Sequence, residues 1–302
     1  MLRHVTAGVD ATPESLAAAH WAAREALRRG TGLRLVHAPQ RPAAVPRGTG
    51  AHATEGEWDV ERVVAGVRAA HPGLRITCRI ATGPPVTALL TAAEEAELLV
   101  LGSRGLGEAA GGLVEAADGL VEAAGGAVGE QVVARSAAPV VLVRAGEGCA
   151  GEHLPAPDGV SPEEIPEIPY RDVVLGLDIS RPCDDLIAFA FSSARLRATV
   201  LRVIHAPVPS AAPAGGATAR PPEAALAARL RPWREKFPTV PVVKTVAFAT
   251  AADALVRASG GAALTVVGRS TGDGHPDRPH IGPVTRTVLH RARGPVAVVP
   301  HV

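Results

Sequence analysis

Residues 5–14, Val-Thr-Ala-Gly-Val-Asp-Ala-Thr-Pro-Glu, join a short apolar run directly to a helix start. The apolar run predicts a buried strand. Thr12 is a preferred N-cap residue and Pro13 suits the first helical position, so we predict that a helix begins there. Gly30 follows the last residue of the helical pattern and is expected to end it. The stretch therefore predicts a βα unit.

The same alternation continues along the first half of the chain. Further strands are predicted at residues 33–38, 75–81, 98–101 and 140–143, with helical patterns between them. Continuous apolar strands separated by helices imply a parallel sheet that is covered on both faces. Right-handed crossovers make such a sheet doubly wound, and its ligand binds at the carboxyl ends of the strands, where the winding reverses.

The second half of the chain repeats this pattern. Its first strand also ends in Asp, at Asp178, and its second strand also ends in a His-Ala pair. The sequences of residues 134–144 and 290–300 align without gaps. We therefore predict an α/β protein of two tandem, doubly wound (Rossmann-like) domains, each with a five-stranded parallel sheet.

The two copies leave a segment between them that differs in composition. Residues 146–170 are rich in proline and acidic residues, which predicts a stiff, partly extended linker. The expected domains are residues 1–145 and residues 171–302.

Composition excludes several classes of protein. The chain has 302 residues, of which 47% are hydrophobic, so each domain can bury a core. Aromatic residues make up only 3% and the net charge is +1, which argues against nucleic acids and membrane surfaces as partners. No leader or long apolar run is evident, and the three cysteines lack a CxxC pair. A cytoplasmic protein without a zinc site or disulfide framework is expected.

A glycine-rich segment follows the predicted fourth strand. It begins with Gly102-Ser-Arg-Gly105 and continues with Gly107, Gly111 and Gly112. Glycines at a strand end let the backbone approach a ligand closely, and their amides can hold phosphate groups. The helix expected after Gly126 would add the positive end of its dipole. An ordinary glycine-rich loop is the alternative.

Five ordered groups of residues resemble the universal stress protein family in its tandem two-domain form. They are the first strands ending in Asp10 and Asp178, the strand ends His37-Ala38 and His205-Ala206, Thr82-Gly-Pro-Pro85, Leu98–Gly105, and Gly126–Val132 with the strand after it. The resemblance implies a cytoplasmic stress protein that responds to an adenine nucleotide and whose nucleotide-bound state is recognised by a signalling partner. It also implies that the two domains pair through their last strands as a pseudo-dimer; a homodimer of chains is a further option.

ATP-binding members of that family carry the motif Gly-x2-Gly-x9-Gly-Ser/Thr and an Asp at the end of the first strand. By resemblance, Asp10 would contact the nucleoside and the backbone around Ala38 would line the adenine pocket. The phosphates would be held at Gly102, Gly105, Gly126 and Ala127. No metal ligand and no catalytic residue is expected.

Two departures from the motif bear on ATP binding. Twenty residues, 106–125, separate Gly105 from Gly126, where the motif has nine. This insertion contains a seven-residue duplication, 112–118 and 119–125, and we expect a partly helical flap, with a packed helix as the alternative. Ala127 also stands where the motif has a hydroxyl, so one hydrogen bond to phosphate is lost.

The second copy departs further from the motif. Thr271 replaces the second glycine, and Pro283 removes an amide at the expected helix start. We therefore expect ATP in the first domain only. The alternatives are a nucleotide-free interaction scaffold, in which both sites are vestigial, and a dedicated nucleotide hydrolase. The sequence lacks a G-x-S-x-G elbow, and no general base is evident, so at most slow incidental hydrolysis is expected.

Restoring the hydroxyl at residue 127 should strengthen ATP binding. Ala127→Ser is expected to lower the dissociation constant by up to about tenfold, the equivalent of one hydrogen bond of roughly 1.4 kcal/mol. Titration calorimetry with ATP measures the change. Equal affinities of the two proteins would contradict a phosphate contact at this position.

Overall fold

The computed structural model describes residues 4–10, 12–39, 55–103, 128–146, 149–155, 168–207, 221–271 and 280–301. It divides into two compact units, Met1–Gly148 and Cys149–Val302. The insertion at 106–125 and the predicted site residues Gly105, Gly126 and Ala127 lie outside the described residues. No helix in the described part of the chain is long and apolar enough to cross a membrane.

Strands and helices alternate through unit 1, as the sequence predicts. Its elements are β1 (His4–Val9), α1 (Pro13–Arg29), β2 (Leu33–His37), α2 (Glu55–Ala70), β3 (Ile76–Ile80), α3 (Pro85–Glu94), β4 (Ala96–Ser103), α4 (Val128–Arg135) and β5 (Val140–Arg144). The strand order is β3-β2-β1-β4-β5, and every neighbouring pair is parallel. The chain winds outward from β1 to β3 and then returns to β4 on the other side of β1. The winding therefore reverses between β1 and β4.

Unit 2 repeats this arrangement. Its elements are α5 (Cys149–Glu152), β6 (Asp172–Gly176), α6 (Asp184–Leu196), β7 (Leu201–His205), α7 (Pro222–Lys236), β8 (Val242–Val246), α8 (Ala251–Ser259), β9 (Ala262–Ser270), α9 (Pro283–Arg291) and β10 (Val296–His301). The strand order is β8-β7-β6-β9-β10, again with parallel pairs. The tandem, doubly wound fold is thus confirmed, while pairing of the two copies through β5 and β10 stays a prediction.

Helix α1 has the boundaries that the sequence predicts. The Thr12 side chain accepts a hydrogen bond from the Ser15 amide (3.2 Å), and Pro13 occupies the first turn. Gly30 ends the helix with a φ of +64°, a left-handed conformation that favours glycine. Ala18, Trp21 and the other residues of its inner face are buried, so α1 forms much of the core of unit 1.

The segment predicted as a linker is not simply extended where it is described. Helix α5 begins at Cys149, and His153 forms an antiparallel bridge with Tyr170. Their rings lie in contact, with centroids 4.1 Å apart. Backbone hydrogen bonds between Leu154 and Pro169 (2.9 Å) and between Arg171 and Glu152 (2.9 Å) join the same two stretches. The described ends of the linker therefore pair with each other within unit 2, because their backbone groups find partners there.

The first turn of helix α1 lies so close to strand β4 that no side chain fits at Gly102. A Cβ atom at Gly102 would lie 2.6 Å from the carbonyl carbon of Glu14 and 2.7 Å from the amide nitrogen of Ser15. These are backbone atoms of the first turn of α1, so they cannot move aside as a flexible side chain could. Glycine at this position lets the start of α1 rest on the end of β4.

We predict that Gly102→Ala destabilises unit 1. Overpacking against helix backbone costs about 1–3 kcal/mol, and the midpoint of urea unfolding should fall accordingly. Gly66→Ala is the matched control: Gly66 lies exposed in α2 with open space around its Cβ position. That substitution should stabilise the helix by about 0.5–1 kcal/mol. A Gly102→Ala protein as stable as the Gly66→Ala protein would contradict the packing.

Candidate functional site

Three of the predicted site residues lie at one edge of the unit 1 sheet. Asp10 follows β1, Ala38 follows β2, and Gly102 is the penultimate residue of β4. These three strands are neighbours in the order β2-β1-β4, and they are parallel, so their carboxyl ends meet. The winding reverses between β1 and β4, and doubly wound sheets bind their ligands at such a point.

Asp10 shapes the turn between β1 and α1. Its Oδ1 accepts hydrogen bonds from the Thr12 amide (3.2 Å) and the Thr12 hydroxyl (2.6 Å). The Asp10 amide donates to Oγ of Ser15 (3.2 Å), whose own hydroxyl donates to the Thr12 carbonyl (3.0 Å). The carboxylate therefore organises the helix start while remaining exposed at the edge of the sheet.

Unit 2 repeats the hydrogen bonds between the aspartate and the residue two positions later, although its helix α6 begins further along, at Asp184. Oδ1 of Asp178 accepts from the Ser180 amide (3.0 Å) and the Ser180 hydroxyl (2.6 Å). Burial raises the pKa of the Asp178 carboxyl, but the hydrogen bonds from Ser180 and the positive charge of Arg181 outweigh it and hold that pKa below its usual range. This role of the carboxylates in their turns was not predicted, although both copies have a hydroxyl residue, Thr12 or Ser180, two positions after the aspartate.

The histidines at the ends of the second strands are structural in both units. Nδ1 of His37 donates to the Val9 carbonyl (2.8 Å), and Nδ1 of His205 donates to the Leu177 carbonyl (2.9 Å). Since a carbonyl can only accept, the hydrogen bond assigns the proton to Nδ1 in each ring. Each ring therefore joins the ends of the first and second strands of its unit, and in unit 1 the His37 ring holds the backbone around Ala38 beside Asp10.

The two units differ at the glycine of the fourth strand. In unit 1 the Cβ position of Gly102 faces the backbone of α1, so helix packing, which was not predicted from the sequence, explains the glycine. In unit 2 a Cβ at Gly268 would meet the His301 ring, with 2.7 Å to Cδ2. The position equivalent to His301 in the gapless match of the last segments is Ala145, which has no ring.

His301 is held in place by residues on both sides. Its Nδ1 donates to the Pro182 carbonyl (3.0 Å), and its own carbonyl accepts from the Thr271 amide (2.8 Å) and hydroxyl (3.0 Å). Helix α9 starts beside this strand end with Pro283 in its first turn, where an N–H is missing. In unit 2 the His301 imidazole therefore lies next to Gly268, and the start of α9 has one backbone N–H donor fewer because of Pro283.

Comparison with known proteins identifies relatives of the same length and architecture. A universal stress protein of Mycobacterium tuberculosis (strain ATCC 25618 / H37Rv) is 31% identical over 309 residues, covering 97% of this chain and 96% of that protein. One of Mycolicibacterium smegmatis is 28% identical over 310 residues, covering 98% and 96%. The crystal structure of a universal stress protein from Archaeoglobus fulgidus shares the fold, with a TM-score of 0.61, 15% identity and 99% coverage of both chains.

The family model points to the same relationship, and it matches the chain twice. The model of the universal stress protein family covers residues 1–144 and 169–300. The two matches correspond to the two copies of the doubly wound fold described above. The chain belongs to the universal stress protein family, as a tandem of two such domains.

Proposed function

We propose that unit 1 binds an adenine nucleotide, ATP, at the carboxyl edge of β1, β2 and β4, and that the chain acts as a nucleotide-responsive regulatory protein in stress. The observation that carries the proposal is the convergence of Asp10, Ala38 and Gly102 at the point where the winding reverses. These are the residues to which the family resemblance assigns nucleotide contacts.

Each element of this edge suits a different part of a nucleotide. An ionised carboxylate such as that of Asp10 only accepts hydrogen bonds, and ribose hydroxyls can donate to it. The backbone after β2 is held beside it by the His37 ring, so the amide and carbonyl groups around Ala38 can meet the edge of the base. Gly105, Gly126 and Ala127 are the phosphate positions of the proposal, assigned from the sequence motif.

The contacts of unit 2 support a site in unit 1 only. There the His301 ring lies against Gly268 and is anchored to the Pro182 carbonyl. The Thr271 amide already donates to a carbonyl, and Pro283 supplies no N–H at the start of α9. A phosphate at this edge would have to displace an imidazole and would find fewer donors than in unit 1.

Matched substitutions in the two equivalent turns test the assignment. Asp10→Asn and Asp178→Asn both keep a side-chain oxygen that can accept from the hydroxyl residue two positions later, so each turn is preserved. The substitution removes the negative charge and replaces the second carboxylate oxygen, an acceptor, with an amide NH2 group, a donor. In titration calorimetry, Asp10→Asn should weaken ATP binding at least about tenfold, because a hydrogen bond to a charged group is lost. Asp178→Asn should leave affinity and the stoichiometry of one unchanged.

The alternatives give different results in the same experiments. Loss of binding in Asp178→Asn with normal binding in Asp10→Asn would place the site in unit 2. No ATP binding by the wild-type chain, and no ATP, ADP or AMP released when the purified protein is heated, would favour the nucleotide-free scaffold. Rapid turnover of ATP that Asp10→Asn abolishes would favour the hydrolase.

A further inference from the structure

Two histidine side chains of unit 1 face each other between α1 and the end of α2, away from the candidate nucleotide site. His20 lies in the middle of α1, and His71 comes directly after α2, in the turn that leads to the start of β3. Nδ1 of His20 is 3.2 Å from Nε2 of His71, and the ring centroids are 5.4 Å apart at a tilt of 48°. Both side chains are partly buried between the helices.

The separation of the two nitrogens matches that of two ligands on one metal ion. Zinc binds histidine nitrogens at about 2.0–2.1 Å in tetrahedral geometry, which puts two such nitrogens about 3.3 Å apart. Imidazole is a favoured ligand of Zn²⁺ and of other borderline divalent ions. The separation of the nitrogens therefore suits a shared metal ion, and each ring has to rotate until its lone pair points at the ion instead of at the other nitrogen.

We propose that His20 and His71 form a two-ligand site for a borderline divalent cation, with Zn²⁺ as the representative ion and water in the remaining positions. In the bound form Nδ1 of His20 and Nε2 of His71 both present lone pairs to the metal. Each neutral ring then carries its proton on its other nitrogen, so binding requires a change of tautomer and no net loss of a proton. The metal joins α1 to the end of α2.

The surroundings of the pair favour the neutral rings that a metal needs. Burial lowers the pKa of His20 and of His71, and the positive charge of Arg24 lowers both further; His20 also lowers the pKa of His71. Arg24 lies one turn after His20 on α1, and its charge opposes a bound cation as well. Among the described residues no group of three or more His, Cys, Asp or Glu could hold a metal. We therefore infer a site of moderate affinity.

A hydrogen-bonded pair without a metal function would have the same separation between the two nitrogens. One ring would donate to the other, and the contact would only fasten α1 to the end of α2. In that case substitution of either histidine would change stability but would have no specific effect on metal binding. The two explanations therefore differ in how metal binding responds to substitution.

Zinc titration of the full chain after treatment with a chelator separates the two. Calorimetry should show one Zn²⁺ bound by the wild type, and His20→Gln and His71→Gln should each weaken it at least about tenfold, the loss expected even when only a group that supports a ligand is removed. His280→Gln, at an exposed histidine of unit 2, is the matched control and should bind as the wild type does. Mg²⁺, which prefers oxygen ligands, should not compete.

Two further measurements distinguish a loss of zinc binding from a loss of stability in a histidine variant. Zn²⁺ should raise the thermal unfolding temperature of the wild type and of His280→Gln, because it binds the folded state, and should not raise that of His71→Gln. At pH 8, where the rings are neutral, Arg24→Gln should bind Zn²⁺ more tightly than the wild type. Equal zinc affinity and equal thermal shifts in the wild type, His20→Gln and His71→Gln would overturn the proposal.

Discussion

The close contact between the first turn of α1 and the end of β4 is the constraint on which the rest of unit 1 depends. Gly102 leaves room for the backbone of Glu14 and Ser15, and so the helix can start directly over the carboxyl ends of the strands. Thr12 and Asp10 then close the turn through hydrogen bonds. Because α1 also buries Trp21 and a row of alanines, this one approach sets both the core and the position of the candidate site.

The two units share the same strand order and the same hydrogen bonds at the strand ends. They differ at the carboxyl edge of the sheet, around the glycine of the fourth strand. In both, a carboxylate organises the turn after the first strand and a histidine joins the ends of the first and second strands. The buried Ser15 of unit 1 is replaced by Cys183, whose sulfur lies 3.9 Å from the Asp178 carbonyl. The same hydrogen bonds hold the turns and strand ends of both units, whereas the glycine of the fourth strand has different neighbours: the backbone of α1 at Gly102 and the His301 ring at Gly268.

Local signals predicted most of the fold. Thr12 with Pro13 marked the start of α1, and Gly30 marked its end, because capping depends on a few neighbouring residues. The strands were predicted in place, and the structure lengthens some: the expected 98–101 is part of Ala96–Ser103. The pairing of His153 with Tyr170, near the two ends of the predicted linker, was not predicted, because it joins residues far apart in sequence and the composition of the segment indicates only a stiff, partly extended chain.

The sequence by itself determined the tandem doubly wound fold, the family, and the three strand ends that carry Asp10, Ala38 and Gly102. These features follow from hydrophobic periodicity, helix-capping residues and repeated motifs, each of which is read from a short stretch of sequence. Only the tertiary structure decided that Gly102 faces a helix backbone, that His301 lies against Gly268, and that His20 meets His71 across 51 positions of sequence. These contacts depend on how the helices pack on the sheet, to within a fraction of an ångström. No local sequence pattern determines such a distance.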